Sequence, residues 1–423
     1  MSFIEAALTS ANRDFSRRYP GEPEGRQPVH VVYGGAHLFR AGICRKLGEL
    51  AQRVFAEYAP DPASLAAAVG VQSAFDDKIH ARVTEKLRHE PVEDYRIDFE
   101  DGYGFRPDDE EDSAAENTAR ETAAAMTEGL LPPFFGIRIK PLNEEWRHRG
   151  LRTLRIYLET LHSVSKGRAP ANFVVTLPKI TVPEQVGALS KAIEPFPDVR
   201  VEIMIETPQA LIRIPELIDA AKGKCVAAHF GPYDYTANLG ITASRQSLLH
   251  PACDAARSVM QIQFAGTGIR LADGPTTTLP IPPHRSASLS REQMGENRAA
   301  VHRAWRLHWC GISHALDNGI YQGWDLHPAQ LPIRFAAVYA FFLDGVEAAS
   351  ARLQNFIAQA AQATRVGGVF DDAATGQGLL NYFRRAVNCG AIKEEDAASL
   401  TSLTLEQMRS GSFARIVSTP PAA

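Results

Sequence analysis

The chain has 423 residues, 45% of them hydrophobic and 22% charged, with a formal net charge of −4. That length holds one large domain with an extension, or two domains. The charge balance gives no basic footprint for nucleic acid or an anionic membrane, no apolar run can span a bilayer, and the first residues carry no signal-peptide core. Cys44, Cys225, Cys253, Cys310 and Cys389 are scattered and never form a C-x-x-C pair. This predicts a cytoplasmic protein without a zinc cluster or disulfide framework.

In chain order, residues 1–28 read as an N-terminal segment: a helix over Phe3–Arg18, then a loop rich in Pro, Gly and charge. The first predicted strand is Val29–Tyr33, which ends in Gly34-Gly35-Ala36-His37; helical spacing follows over Arg40–Tyr58 and His80–His89. Tyr95–Phe99 is the second strand and runs into Glu100-Asp101. Asp108–Asp112 reads as a solvated loop and helix start, and Ala114–Glu128 as an Ala-rich helix. Phe134–Ile139 is the third strand, with Arg138 in it and Lys140 just past it, before a charged helix over Asn143–His162. The fourth, Phe173–Leu177, ends in Leu-Pro-Lys179.

Val201–Ile205 and Val226–Phe230 are apolar runs that each lead to a carboxylate, Glu206 in Ile-Glu-Thr-Pro and Asp234 in Gly-Pro-Tyr-Asp, with helical periodicity over Leu211–Ala221 between them. Gly268–Leu271 leads to Asp273, Gln293–Asp317 is a long helix, and Ile320–Leu326 leads to His327-Pro-Ala-Gln330. Eight strands, each followed by a helical segment, predict a (β/α)8 TIM barrel over residues 29–330. Arg334–Ala363 and Leu379–Cys389 predict a helical C-terminal extension over 331–417, and 418–423 a disordered tail.

Neighbouring parallel strands end on the same side, so Glu206 and Asp234 are expected side by side at one mouth. Two carboxylates with room for water and a substrate oxygen suit Mg²⁺, with Mn²⁺ as the other candidate ion. Such an ion polarises the keto oxygen of a chelating 2-oxo acid and stabilises an enolate. Arg138 is expected to hold the acid or the developing oxyanion through paired N–H donors. Lys140, Lys179 and Asp273 are further candidate substrate contacts, and Glu100, Asp101 and His37 candidate catalytic groups. A Schiff-base role for Lys179 is disfavoured by its acidic neighbours. Asp98 and His327 read as structural.

These motifs resemble the HpcH/HpaI aldolase and citrate lyase β-subunit family, within the phosphoenolpyruvate/pyruvate-binding barrel superfamily. The carriers are Asp98-Phe-Glu-Asp101, Arg138 in Gly-Ile-Arg-Ile, Leu-Pro-Lys179, Ile-Glu206-Thr-Pro-Gln, the run from Phe-Gly-Pro-Tyr-Asp234 to Gly240, Asp273-Gly-Pro and His327-Pro-Ala-Gln330. They span Val29 to Gln330 in the family's order. The resemblance implies a TIM barrel, Mg²⁺ on Glu206 and Asp234, Arg138 as the enolate-binding arginine, and Glu100 or Asp101 on metal-bound water. It also implies carbon–carbon cleavage or formation on a 2-oxo acid or acyl-CoA, in a trimer or hexamer. Three departures mark a divergent member. Asp101-Gly102 replaces the histidine of the HpaI-type aldolases, and the opening around Tyr33-Gly-Gly-Ala-His37 is atypical. The place of the C-terminal aspartate of the citrate lyase β branch falls near Gly378, with Asp371 and Asp372 as substitutes. A transferase handling phosphoenolpyruvate or pyruvate and a non-catalytic protein binding a metabolite and Mg²⁺ are the alternatives.

Overall fold

The computed structural model describes residues 2–23, 25–286, 288–366, 373–409 and 411–418. Its eight strands are β1 (His30–Gly35), β2 (Asp94–Asp98), β3 (Phe134–Arg138), β4 (Phe173–Leu177), β5 (Arg200–Ile205), β6 (Cys225–Phe230), β7 (Arg270–Ala272) and β8 (Gly323–Asp325). They pair in parallel in the order β7-β6-β5-β4-β3-β2-β1-β8. A parallel bridge between Ala272 and Gln322 closes the ring from β7 to β8. The fold is a (β/α)8 barrel with helices after its strands and at its C-terminal side.

Outward residues of the strands build the main core. Ile97, Phe135, Ile137, Phe173, Val175 and Ile203 are fully buried between sheet and helices. Each such side chain contributes about 1.5–3 kcal/mol relative to exposure. The inward residues are different in kind. Arg96 of β2 donates from Nη2 to Glu202 of β5 at 3.0 Å and from Nε to Thr176 of β4 at 3.2 Å. Its Nη1 pairs with Asp94, and the Tyr33 hydroxyl of β1 bridges Glu202 and His229. The barrel is therefore filled by a compensated ionic network in place of the usual branched aliphatic layers.

Several elements differ from the sequence expectation. β7 starts at Arg270 because Gly268 has φ +77°, outside the extended region. The helix expected over Leu211–Ala221 is two, Pro208–Ile212 and Ile214–Ala220, since Pro215 lacks the N–H that a continuous helix would donate. The helix expected over Arg334–Ala363 is likewise two, Leu331–Asp344 and Val346–Val366, with Gly345 between. Pro62–Val69 is an additional helix, capped by the Asp61 side chain. Residues 419–423 of the expected tail lie outside the described residues. No helix among the described residues is long and apolar enough to cross a membrane.

Candidate active site

Strand ends on one side of the barrel bring together Glu100, Asp101, Arg138, Lys179, Glu206 and Asp234. The register Ile205 to Phe230 sets Glu206 beside Gly231, whose N–H donates to the Ile205 carbonyl at 3.1 Å. Gly231 is required there, since a Cβ would collide with the Glu206 carboxyl. Lys179 has φ +48°, and this turn aims its backbone N–H at Glu206 Oε1.

The Lys179 ammonium is the hub. It pairs with Glu100, lies 3.1 Å from Asp101 Oδ1 and 3.8 Å from Asp234 Oδ2. Burial opposes its charge, yet Glu100, Glu206 and Asp101 hold its pKa above the ordinary lysine value. A lysine held in its charged form is a poor nucleophile.

Arg138 departs from expectation in one respect. Its Nε and Nη2 donate to Asp98 Oδ1 and Oδ2 at 2.7 and 2.5 Å, so the paired donors are already spent. Nη1 alone reaches toward the mouth, 3.1 Å from Glu100 Oε2. From below, the guanidinium rests on the rings of Tyr33 and Trp324, with Cζ 4.9 and 5.4 Å from their centres. Asp98 is thus the buried structural partner that its place in an apolar run suggested.

The carboxylates carry surplus charge. Glu206 is 2% exposed. Burial, then Asp234 and Glu100, push its pKa up to about 8. Burial also raises Asp234 and Glu100. Glu100 Oε2 is buried without a hydrogen bond. Buried anions of this kind call for a cation. Oxygen-only donors fit a hard divalent ion such as Mg²⁺.

Three of the sequence candidates stand outside this cluster. Lys140 is buried against Glu111 at 2.7 Å and the Phe99 carbonyl at 2.7 Å, behind the sheet. Glu111 is fully buried, so the Asp108–Asp112 run is not wholly solvated as expected. Asp273 accepts from Arg257 Nε at 3.0 and 3.1 Å. His37 is exposed on the turn after β1, its ring 5.8 Å from Tyr103. His327 is structural: its Nδ1 accepts from the Ala329 N–H at 3.1 Å. Asp371 and Asp372 lie outside the described residues. Gly378 lines a surface hollow with Glu22 and Tyr321, on the side where strands begin. The sequence reading missed Glu202, Arg96, Tyr33 and Trp324; the alternating charges of Asp94-Tyr-Arg-Ile-Asp98 were the available signal for an inward polar face.

The model of one sequence family, described as a domain of unknown function (DUF6986), matches residues 8–416. No curated protein matches the sequence. Among solved structures, a citrate lyase of Burkholderia xenovorans LB400 aligns with TM-score 0.53 and 20% identity, covering 78% of this chain and 94% of its own. Protein CitE of Mycobacterium tuberculosis, in complex with magnesium and acetoacetate, aligns with TM-score 0.42 and 17% identity over 74% of this chain and 91% of its own. A Haloferax volcanii malate synthase lead(II) complex gives TM-score 0.45 and 14% identity over 82% and 95%. The citrate lyase match bears out the barrel expected from the motif resemblance; at this identity it speaks to fold alone.

Proposed function

The chain belongs to the DUF6986 family, and from its own residues we propose that it is a Mg²⁺-dependent carbon–carbon lyase acting on a 2-oxo or 2-hydroxy acid. The observation that carries this is the Glu206 carboxyl, buried beside Asp234 with a backbone N–H as its described hydrogen-bond donor. Glu206 and Asp234 would hold the ion. When bound, it supplies Lewis-acid polarisation of the substrate's keto oxygen. Arg138 Nη1 donates to the acid's carboxylate or to the enolate oxygen. Its fork to Asp98 and its seat on Tyr33 and Trp324 fix that donor in place before substrate arrives. Glu100, beside Nη1 with an unbonded Oε2, is positioned to carry a proton. Lys179 holds Glu100, Asp101 and Asp234 around one point, and the exposed Asp101 reaches solvent at the rim.

One observation favours a second reading. Among the described residues no three His, Cys, Asp or Glu side chains are arranged to hold a metal. In that reading Lys179 is the site's own cation, and the protein binds a metabolite without turning it over. Exchange of pyruvate methyl protons with deuterated water separates the two, since it needs only proton removal and return. Proton NMR should show exchange with Mg²⁺, and none with EDTA or in Glu206→Gln. Binding of pyruvate without exchange above a Mg²⁺-only blank establishes the second reading. Exchange that survives EDTA removes the metal from the first.

A further inference from the structure

The end of the barrel opposite the carboxylate mouth holds a cavity of about 270 Å³. Val29, Arg270 and Tyr321 mark its position, since they stand where β1, β7 and β8 begin. The N-terminal segment and the helix Ala373–Asn388 complete its walls. The volume is far above the roughly 10–15 Å³ that one water needs.

Its chemistry is mixed in a specific way. Ile269 and Leu271, both part-exposed, give it an apolar wall, backed by the buried Phe264 and Phe342. Arg270 lines it with only neutral described contacts: the Arg26 carbonyl 3.4 Å from Nη1, and the Phe134 ring 4.9 Å from Cζ. No carboxylate pairs with Arg270 among the described residues; Asp94 and Glu202 act on it only at longer range, and burial lowers its pKa. A largely buried guanidinium without an anion is costly. Across the cavity Arg385 sits over Tyr321, its Cζ 3.8 Å from the ring centre, and pairs with Glu22 of the N-terminal segment. Cations therefore face an apolar wall, with Glu22 as a counter-ion that a ligand's own anion would replace.

We propose that this closed end is a second binding site, for a small molecule with an apolar body and one anionic group, a carboxylate or a phosphate. It is separate from the mouth and does not rest on the lyase reading. Arg270 takes the anion, the wall of Ile269 and Leu271 takes the body, and Arg385 closes over it.

The test uses the full chain and the fluorescent anion anilinonaphthalene sulfonate, displaced in turn by hexanoate, hexyl phosphate and hexanol. One dye should bind saturably per chain. Hexanoate or hexyl phosphate should displace it, and which of the two is stronger identifies the anion; hexanol should not. Arg270→Gln should weaken dye binding at least about tenfold, the worth of a charge-assisted hydrogen bond. Asn388→Trp, which fills the cavity from the helix end and leaves Arg270 in the chain, should abolish binding; it carries the test if Arg270→Gln does not fold. Glu206→Gln should leave the dye's affinity within about twofold. Absence of saturable binding, displacement by hexanol as strong as by the acids, unchanged binding in folded Asn388→Trp, or loss in Glu206→Gln each overturns the site.

Discussion

Glu202 and Glu206 stand four residues apart along and just past β5, on the same inner face, 1% and 2% exposed. Their pKa values are shifted in opposite directions. Glu202 accepts from Arg96 Nη2 at 3.0 Å and from the Thr176 hydroxyl at 2.6 Å, and though burial opposes its charge, Arg96 brings it down to about 2. Glu206 has burial, Asp234 and Glu100 against it and sits at about 8. Burial is equal, so partners make the difference. The inner layer is completed by the chain itself. The outer layer is left short of positive charge, which is the feature that motivates the proposed metal site.

The largest test of that contrast is Arg96→Met. It leaves Asp94 and Glu202 buried without their cation and should cost about 3–5 kcal/mol in urea unfolding. A loss under about 1 kcal/mol would mean that the inner layer is not the compensated one.

Next comes pH. His30 and His229 are both driven down to about 4, chiefly by burial. Asp325, Glu93, Arg334 and Lys86 surround the first, and Glu202, Arg96, Arg138, Tyr33 and the Asp273 carbonyl the second. Below about 6.5 the unfolded chain takes up protons that the folded chain refuses until about 4, so stability falls as pH drops through that window. Glu206, raised to about 8, works the opposite way over the same window, so the measurement is made in Glu206→Gln, where the loss from pH 7 to pH 5 should be on the order of 2–4 kcal/mol for the pair. Urea midpoints that stay flat across this range would show that the inner layer admits protons freely.

Mg²⁺ sharpens the comparison from the other side. At a hundred times its Kd it should stabilise the wild type by about 2.7 kcal/mol. Glu206→Gln should show no such gain, while being as stable as wild type or more so without metal, because a neutral amide carries none of the cost of ionising a buried carboxyl beside Asp234 and Glu100. A Mg²⁺-dependent rise in Tm that persists in Glu206→Gln would place the ion elsewhere.

The smallest effect is Arg138→Lys. Lysine keeps the charge but cannot fork to Asp98, so the donor facing Glu100 loses its fixed direction. Calorimetry should give about tenfold weaker oxaloacetate binding, about 1.4 kcal/mol, with Mg²⁺ affinity within about twofold. Equal affinity for the acid in both proteins would show that Arg138 does not touch it.

Much of the barrel was legible in the chain. Phe173–Leu177 is a strand to the residue, because an unbroken apolar run between turn signals leaves few alternatives. Glu206 and Asp234 were legible as neighbours, because parallel strands end on one side. Lys140 and Asp273 looked like mouth residues because position at a strand end is all that spacing reports. The structure pairs Lys140 with Glu111, 29 residues away, and Asp273 with Arg257 on a helix that packs behind the sheet.

The sequence by itself determined the order of strands and helices and the side of the barrel on which carboxylates gather, since both follow from periodicity and chain direction. Tertiary structure alone decided which ions are spent and which are spare. Asp98 takes both paired donors of Arg138, Glu202 is neutralised across the barrel by Arg96 from 106 residues away, and Glu206 faces Asp234 and Glu100 with the Lys179 ammonium and a backbone N–H offsetting them only in part. The physical reason is range: secondary structure is set by neighbours within a turn or a strand, whereas the charge of a buried carboxyl is set by whatever the fold carries to within a few ångströms of it.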